Sequence, residues 1–94
     1  MFEIKIGDQN EVQLKGRFDA SQIDIAKELF REIDITTKVN FQNLNYISSA
    51  GLGVLLMTQK RLKENEQELI LINMNNHIRE VFRYAGFDMI FRIE

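Results

Sequence analysis

The sequence predicts an α/β fold: one small domain over residues 1–94, with a mixed, mostly parallel sheet, an N-terminal β-hairpin and three helices. Three observations predict it. Two runs of strict alternation stand at the start, joined by a short turn. After them, helical periods alternate with short β-rich runs, and strands separated by helices pair through parallel crossovers. The length of 94 residues leaves room for one domain only, at roughly 100–200 residues each.

Each element has its own pattern. Phe2, Ile4 and Ile6 alternate with Glu3 and Lys5, the mark of a half-buried strand. Gly7-Asp8-Gln9-Asn10 is a turn, and Val12 and Leu14 then alternate with polar neighbours. Gly16 ends or bulges this second strand. From Ser21 the period is helical, with Ala26, Leu29, Phe30 and Ile33 inside. Asp19 or Ser21 is the expected N-cap, since each offers an acceptor to the free N–H groups of the first turn. Residues 36–41 predict a third strand with Val39 and Phe41 on one face, and Leu44, Tyr46 and Ile47 continue it as apolar chain.

From Ala50 a second helix is expected, with Leu52, Leu55, Leu56, Gln59 and Leu62 on its inner side. Lys60, Arg61, Lys63 and Glu64 fall outside, and Asn65 and Glu66 close it. Residues 68–73 are short and apolar on both faces. They suit a strand covered on both sides, or one flanked by parallel neighbours. Asn75 caps a third helix that buries Ile78, Val81, Phe82 and Ala85, and Gly86 ends it. Residues 89–93 predict a last short strand.

Composition excludes several functions. Twelve basic and fourteen acidic residues give a net charge of −2, against nucleic acid as a partner. There is no cysteine, so disulfides, thiolate metal sites and thiol catalysis are excluded. A single histidine does not make a His-based metal site. No apolar run approaches the ~18 residues of a membrane span, and no signal peptide is legible. A cytoplasmic location without membrane insertion is expected.

The informative segment is Tyr46-Ile47-Ser48-Ser49-Ala50-Gly51-Leu52-Gly53, where a strand passes into a helix within three residues. Two hydroxyls stand at the free N–H groups of that helix, a place that favours negative charge. The plain reading is that serine is there as an N-cap. Glycine inside a first helical turn costs about 1 kcal/mol against alanine, so Gly51 and Gly53 suggest close approach of another backbone or of a partner. The lysine of a P-loop is missing after Gly53. His77 reads as a surface residue in the first turn of its helix, not as the base of a Ser49 hydrolase.

At this segment the chain resembles the STAS domain, the anti-sigma factor antagonist family of bacterial partner-switching systems. The resemblance rests on Gly16-Arg17-Phe18-Asp19, on Asn40-Phe41-Gln42-Asn43-Leu44-Asn45-Tyr46-Ile47, and on Ser48-Ser49-Ala50-Gly51-Leu52-Gly53-Val54-Leu55-Leu56. It closes with Ile78-Arg79-Glu80-Val81-Phe82-Arg83-Tyr84-Ala85-Gly86-Phe87. It implies a non-enzymatic protein without cofactor. The unmodified antagonist binds an anti-sigma factor that is also a serine kinase, and the sigma factor is released. The kinase then uses ATP to phosphorylate one serine, the complex separates, and a serine phosphatase resets it. Carried onto this chain, the phosphoacceptor is Ser49, and Asp19, Ser48, Ala50, Gly51 and Leu52 form the partner-binding face. A monomer is expected, with a dimer left open.

Two departures matter. Ser48 stands where the family has an aspartate, which makes Ser48 a second candidate acceptor. The chain also stops at Glu94, where many relatives continue into another helix. An alternative implied by the same resemblance is a STAS adaptor subunit of another regulatory or membrane transport complex, without phosphorylation.

Overall fold

The computed structural model describes residues 2–94. Its elements are β1 (Phe2–Ile6), β2 (Val12–Phe18), α1 (Ile23–Arg31), β3 (Thr37–Ile47), α2 (Ser49–Lys63), β4 (Leu69–Ile72), α3 (Asn76–Tyr84) and β5 (Arg92–Ile93). Short 3-10 turns precede β2, α1 and β5. The five strands lie in the order β1-β2-β3-β4-β5. β1 and β2 are antiparallel, and all later pairs are parallel. The predicted fold class is therefore the observed one.

The register shows how the two faces differ. Ile6 pairs with Val12, Val12 with Val39, and Val39 with Leu71, so these side chains share one face. Val12, Val39 and Leu71, with Leu14, Phe41 and Leu69, form the floor of the core, so β2, β3 and β4 bury that face, while Ile6 at the edge stays exposed. The opposite face carries Glu3, Lys5, Gln13, Lys15, Lys38 and Asn40, and is open. All three helices cover the apolar face. Ile25 and Leu29 of α1 lie over Ile4 and Ile6, the first turn of α2 sits on Phe18, and Phe82 of α3 meets the Phe41 ring at 5.8 Å. Hence β4 is not covered on both sides. It is flanked by parallel β3 and β5, and Ile70 and Ile72 are half-buried on the open face.

The third strand is longer than expected. It continues to Ile47 because the chain absorbs two irregularities against β2, between the Gln13 and Lys15 positions and between Gly16 and Arg17. Each inserts an extra β3 residue, which breaks the two-residue alternation after Phe41 and hides the strand from pattern reading. Gly16 takes φ +88° beside the second irregularity, opposite the bulge in β3, and β2 runs on through it to Phe18.

α2 buries more than one stripe. Gly51, Leu52, Val54, Leu55, Thr58, Gln59 and Leu62 are all buried, because α2 packs on the sheet and also on α1. Val54 and Thr58 thus join the predicted inner side, while Leu56 is only half-buried. Arg61 is not simply outside. Its guanidinium donates to the Phe30 carbonyl at 2.9 Å and reaches Asp34 at 3.3 Å, which satisfies the end of α1. Gln59, 1% exposed, accepts from the Leu69 N–H at 2.7 Å and donates to the Ile90 carbonyl at 3.0 Å. That pair of bonds ties α2 to β4 and to the chain entering β5.

Asn75 caps α3 as expected, accepting from the Ile78 N–H at 2.8 Å. Ala85 is exposed, contrary to expectation, since α3 ends at Tyr84 and Ala85 has already turned away from the core. The last strand is Arg92–Ile93 only, because residues 87–89 form a 3-10 turn that packs Phe87 against Phe82 and Phe91.

Candidate functional site at the start of the second helix

A single residue, Ser48, separates β3 from α2. Its backbone is extended, at φ −87° and ψ 169°. Its hydroxyl oxygen accepts from the Gly51 N–H at 3.1 Å, and its carbonyl accepts from the Leu52 N–H at 2.9 Å. Its own N–H donates to the Phe18 carbonyl at 2.9 Å. Ser48 is therefore the N-cap, with its hydroxyl oxygen, its carbonyl and its N–H each bonded. Ser49 is different. It is the first residue of α2, it is exposed, and its hydroxyl makes no hydrogen bond among the described residues. The two serines thus divide the work between cap and free hydroxyl.

The Ser48–Phe18 bond draws the ends of β2 and β3 into one corner. Asp19 follows Phe18 directly and so flanks that corner. It caps the turn at Ala20–Gln22, accepting from the Ser21 N–H at 3.0 Å and the Ser21 hydroxyl at 2.6 Å. These two bonds hold its carboxyl below its ordinary value of 3.8, with a small further pull from Arg17. Asp19 is thus ionised at neutral pH and keeps a fixed negative charge beside the turn. Of its two predicted cap candidates, Asp19 serves the 3-10 turn, and Ser21 caps nothing. α1 then starts at Ile23 without a side-chain cap.

Gly51 is a close-approach glycine. A Cβ there would lie 3.0 Å from the Ile47 side chain and 3.2 Å from both the ring and the carbonyl oxygen of Phe18. Only a residue without Cβ lets the first turn of α2 settle on the Phe18 corner. Gly53 does not have that reason, since a Cβ there would meet nothing within 4 Å. The expected surface changes accordingly. Gly51 is buried and Leu52 is 6% exposed, so these two of the expected set lie beneath the surface. Asp19, Ser48, Ser49 and Ala50 are the members of the predicted set that reach the surface.

One pair was not legible in the sequence. The Arg17 guanidinium lies 4.3 Å from the centroid of the Tyr46 ring, a cation–π contact on the open sheet face beside the corner. The two residues meet only because a bulge sets Arg17 opposite Tyr46. His77 stands exposed in the first turn of α3, as read from sequence. Among the described residues, no group of three or more His, Asp or Glu could hold a metal ion, and no helix is long and apolar enough to cross a membrane.

Comparison with known proteins gives a consistent picture. The family model described as "Mlab, STAS domain" matches residues 5–92. A protein of Bordetella bronchiseptica named as an anti-sigma factor antagonist, BtrV, is 35% identical over 86 residues. Those residues are 92% of this chain, which spans 64% of the length of BtrV. The anti-sigma-B factor antagonist of Staphylococcus aureus is 27% identical over 85 residues, covering 90% of this chain and 75% of that protein. Among solved structures, the anti-sigma factor antagonist SpoIIAA in its unphosphorylated form matches with a TM-score of 0.73 and 19% identity, over 100% of this chain and 87% of that one. The phosphorylated form of SpoIIAA from Bacillus matches with a TM-score of 0.71 at 20% identity, over 100% of this chain and 91% of that one.

Proposed function

Because the chain belongs to the STAS domain family of anti-sigma factor antagonists, we propose that it is a phosphorylation-operated partner switch built on Ser49. The unmodified turn binds an anti-sigma factor with serine kinase activity and so releases a sigma factor. The observation that carries this reading is the division between the serines, with the Ser48 oxygen bonded as cap and the Ser49 hydroxyl exposed and unbonded. In the transfer, the Ser49 oxygen attacks the γ-phosphorus of ATP, its proton passes to a base of the kinase, and ADP leaves. The protein supplies position and accepts the phosphate. It is not itself an enzyme, and a serine phosphatase returns it to the binding form.

The geometry also suits the product. A phosphoryl group brings about −1.5 to −2 charge. At Ser49 it meets the first N–H groups of α2, which have no acceptor inside the helix, and the positive end of the helix dipole. Lys60, Arg61 and Lys63 already balance the other end.

A labelled-phosphate assay with the cognate kinase tests the assignment. Ser49→Ala is expected to abolish incorporation. Ser48→Ala is expected to keep most of it while losing about 1 kcal/mol of stability, the usual worth of a helix cap. Label that persists in Ser49→Ala and vanishes in Ser48→Ala would move the acceptor to Ser48. One observation favours a second reading, a STAS adaptor that is never phosphorylated: Ser48 occupies the position of the family's aspartate, so no carboxylate adjoins Ser49 in sequence. Partner binding in the cell without any label on either serine would select that reading.

A further inference from the structure

The two edges of the sheet are unlike. β5 is two residues long, whereas β1 is five. The Gly7 N–H donates to the Glu11 carbonyl at 2.7 Å, which sets the phase of the β1–β2 ladder. Bonded and non-bonded pairs alternate in such a ladder. The N–H and C=O groups of Glu3 and Lys5 therefore point to β2, and those of Phe2, Ile4 and Ile6 point outward. The outward groups meet no partner among the described residues. An edge of this kind is a template for another strand.

The side chains along this edge are arranged for a particular strand. Ile4 and Ile6 project to the helix-bearing face, where they line a shallow groove with Ile25, Leu29, Glu28 and Glu32 of α1. Ile6 is 47% and Ile25 62% exposed. Glu3 and Lys5 project to the open face and are exposed.

We propose that β1 pairs antiparallel with β1 of a second copy of this chain, about a twofold axis passing through Ile4. Ile4 then faces Ile4, Phe2 faces Ile6, and every outward backbone group of the three residues gains a partner. Glu3 of each copy faces Lys5 of the other, and opposite charges directly across a ladder attract. The register is specified by the same charges. A slip by one ladder step sets Lys5 against Lys5 in one direction and Glu3 against Glu3 in the other. The pairing is isologous, as a twofold dimer requires. It also brings the two apolar grooves side by side and covers Ile6 and Ile25. The carboxylates of Glu28 and Glu32 remain at the solvent rim. A strand of five residues makes a small interface, so the dimer is weak, micromolar or weaker.

Sedimentation equilibrium of the whole chain over a concentration series tests this. The wild type is expected to pass from monomer to dimer. Glu3→Lys and Lys5→Glu, each alone, set like charges across the ladder and are expected to weaken the dimer about tenfold or more. Both side chains are exposed, so circular dichroism should show intact folds. An equimolar mixture of the two variants should regain the dimer, because every cross-strand pair is again of opposite sign. A wild type that stays monomeric at hundreds of micromolar overturns the proposal. So does a dimer indifferent to Lys5→Glu, or a mixture that fails to associate.

Discussion

Ser49→Asp is expected to lower affinity for the kinase-type anti-sigma factor by about tenfold or more, in the direction that phosphorylation acts. The added carboxylate would stand on the exposed face formed by Asp19, Ser48 and Ala50, where Asp19 already contributes one fixed negative charge. A partner that fits the unmodified turn would have to accommodate a second one, and a charge desolvated at a contact without a matching group weakens binding. The fold should hardly respond. Leu52, Leu55 and Leu62, which anchor α2, are buried apolar contacts away from the modified hydroxyl. Calorimetry at moderate salt measures the affinity, and amide NMR spectra of the two forms report the fold. Equal affinities for wild type and Ser49→Asp would end the idea of a charge-operated switch. Shifts confined to the Ser49 turn and the Asp19 loop would support surface blocking. Large shifts across β4 or α3 would show that the added charge remodels the domain.

Phe82→Ala should cost about 3–5 kcal/mol of stability, the usual range for removing a buried aromatic side chain. Phe82 is 0% exposed and is the hub of an aromatic cluster. Its ring meets Phe41 at 5.8 Å, Phe91 at 5.9 Å and Phe87 at 6.5 Å, all edge-on. Through those contacts α3 holds to β3 and the chain leading into β5 holds to α3. Truncation therefore empties the center of the layer and loosens three elements together. A domain of this size shifts its midpoint by roughly 4–8 °C per kcal/mol, so thermal unfolding should fall by at least about 12 °C. Phe82→Leu, which keeps most of the volume, should cost clearly less. A loss below about 1 kcal/mol for Phe82→Ala would mean that the cluster is not close-packed.

The two substitutions probe parts of the protein that were unequally legible. Ser49 stands out from eight letters, because a strand pattern, two hydroxyls and a helical period follow one another there. What the letters left open was which serine caps, and that was settled by one bond, from the Gly51 N–H to Ser48. The aromatic hub was less visible. Phe82 was placed inside by its helical period, but its three aromatic neighbours come from β3 and the chain after α3, and nothing local pairs them.

Element order, helix starts such as Asn75 at α3, the hairpin and the α/β class were determined by the sequence alone. Each depends on residues a few positions apart, whose period, caps and turn chemistry act locally. The tertiary structure decided which face the helices cover, and so left Ile70 and Ile72 half-exposed on an open sheet. It extended β3 to Ile47 through two bulges, buried Val54 and Thr58 under α1, and turned Arg61 inward to the end of that helix. It also seated Gly51 on Phe18, which left Gly51 and Leu52 beneath the surface. These outcomes share a physical cause. Register and packing are set by contacts between residues distant in the chain, and a single-residue shift in register exchanges the two faces of a strand.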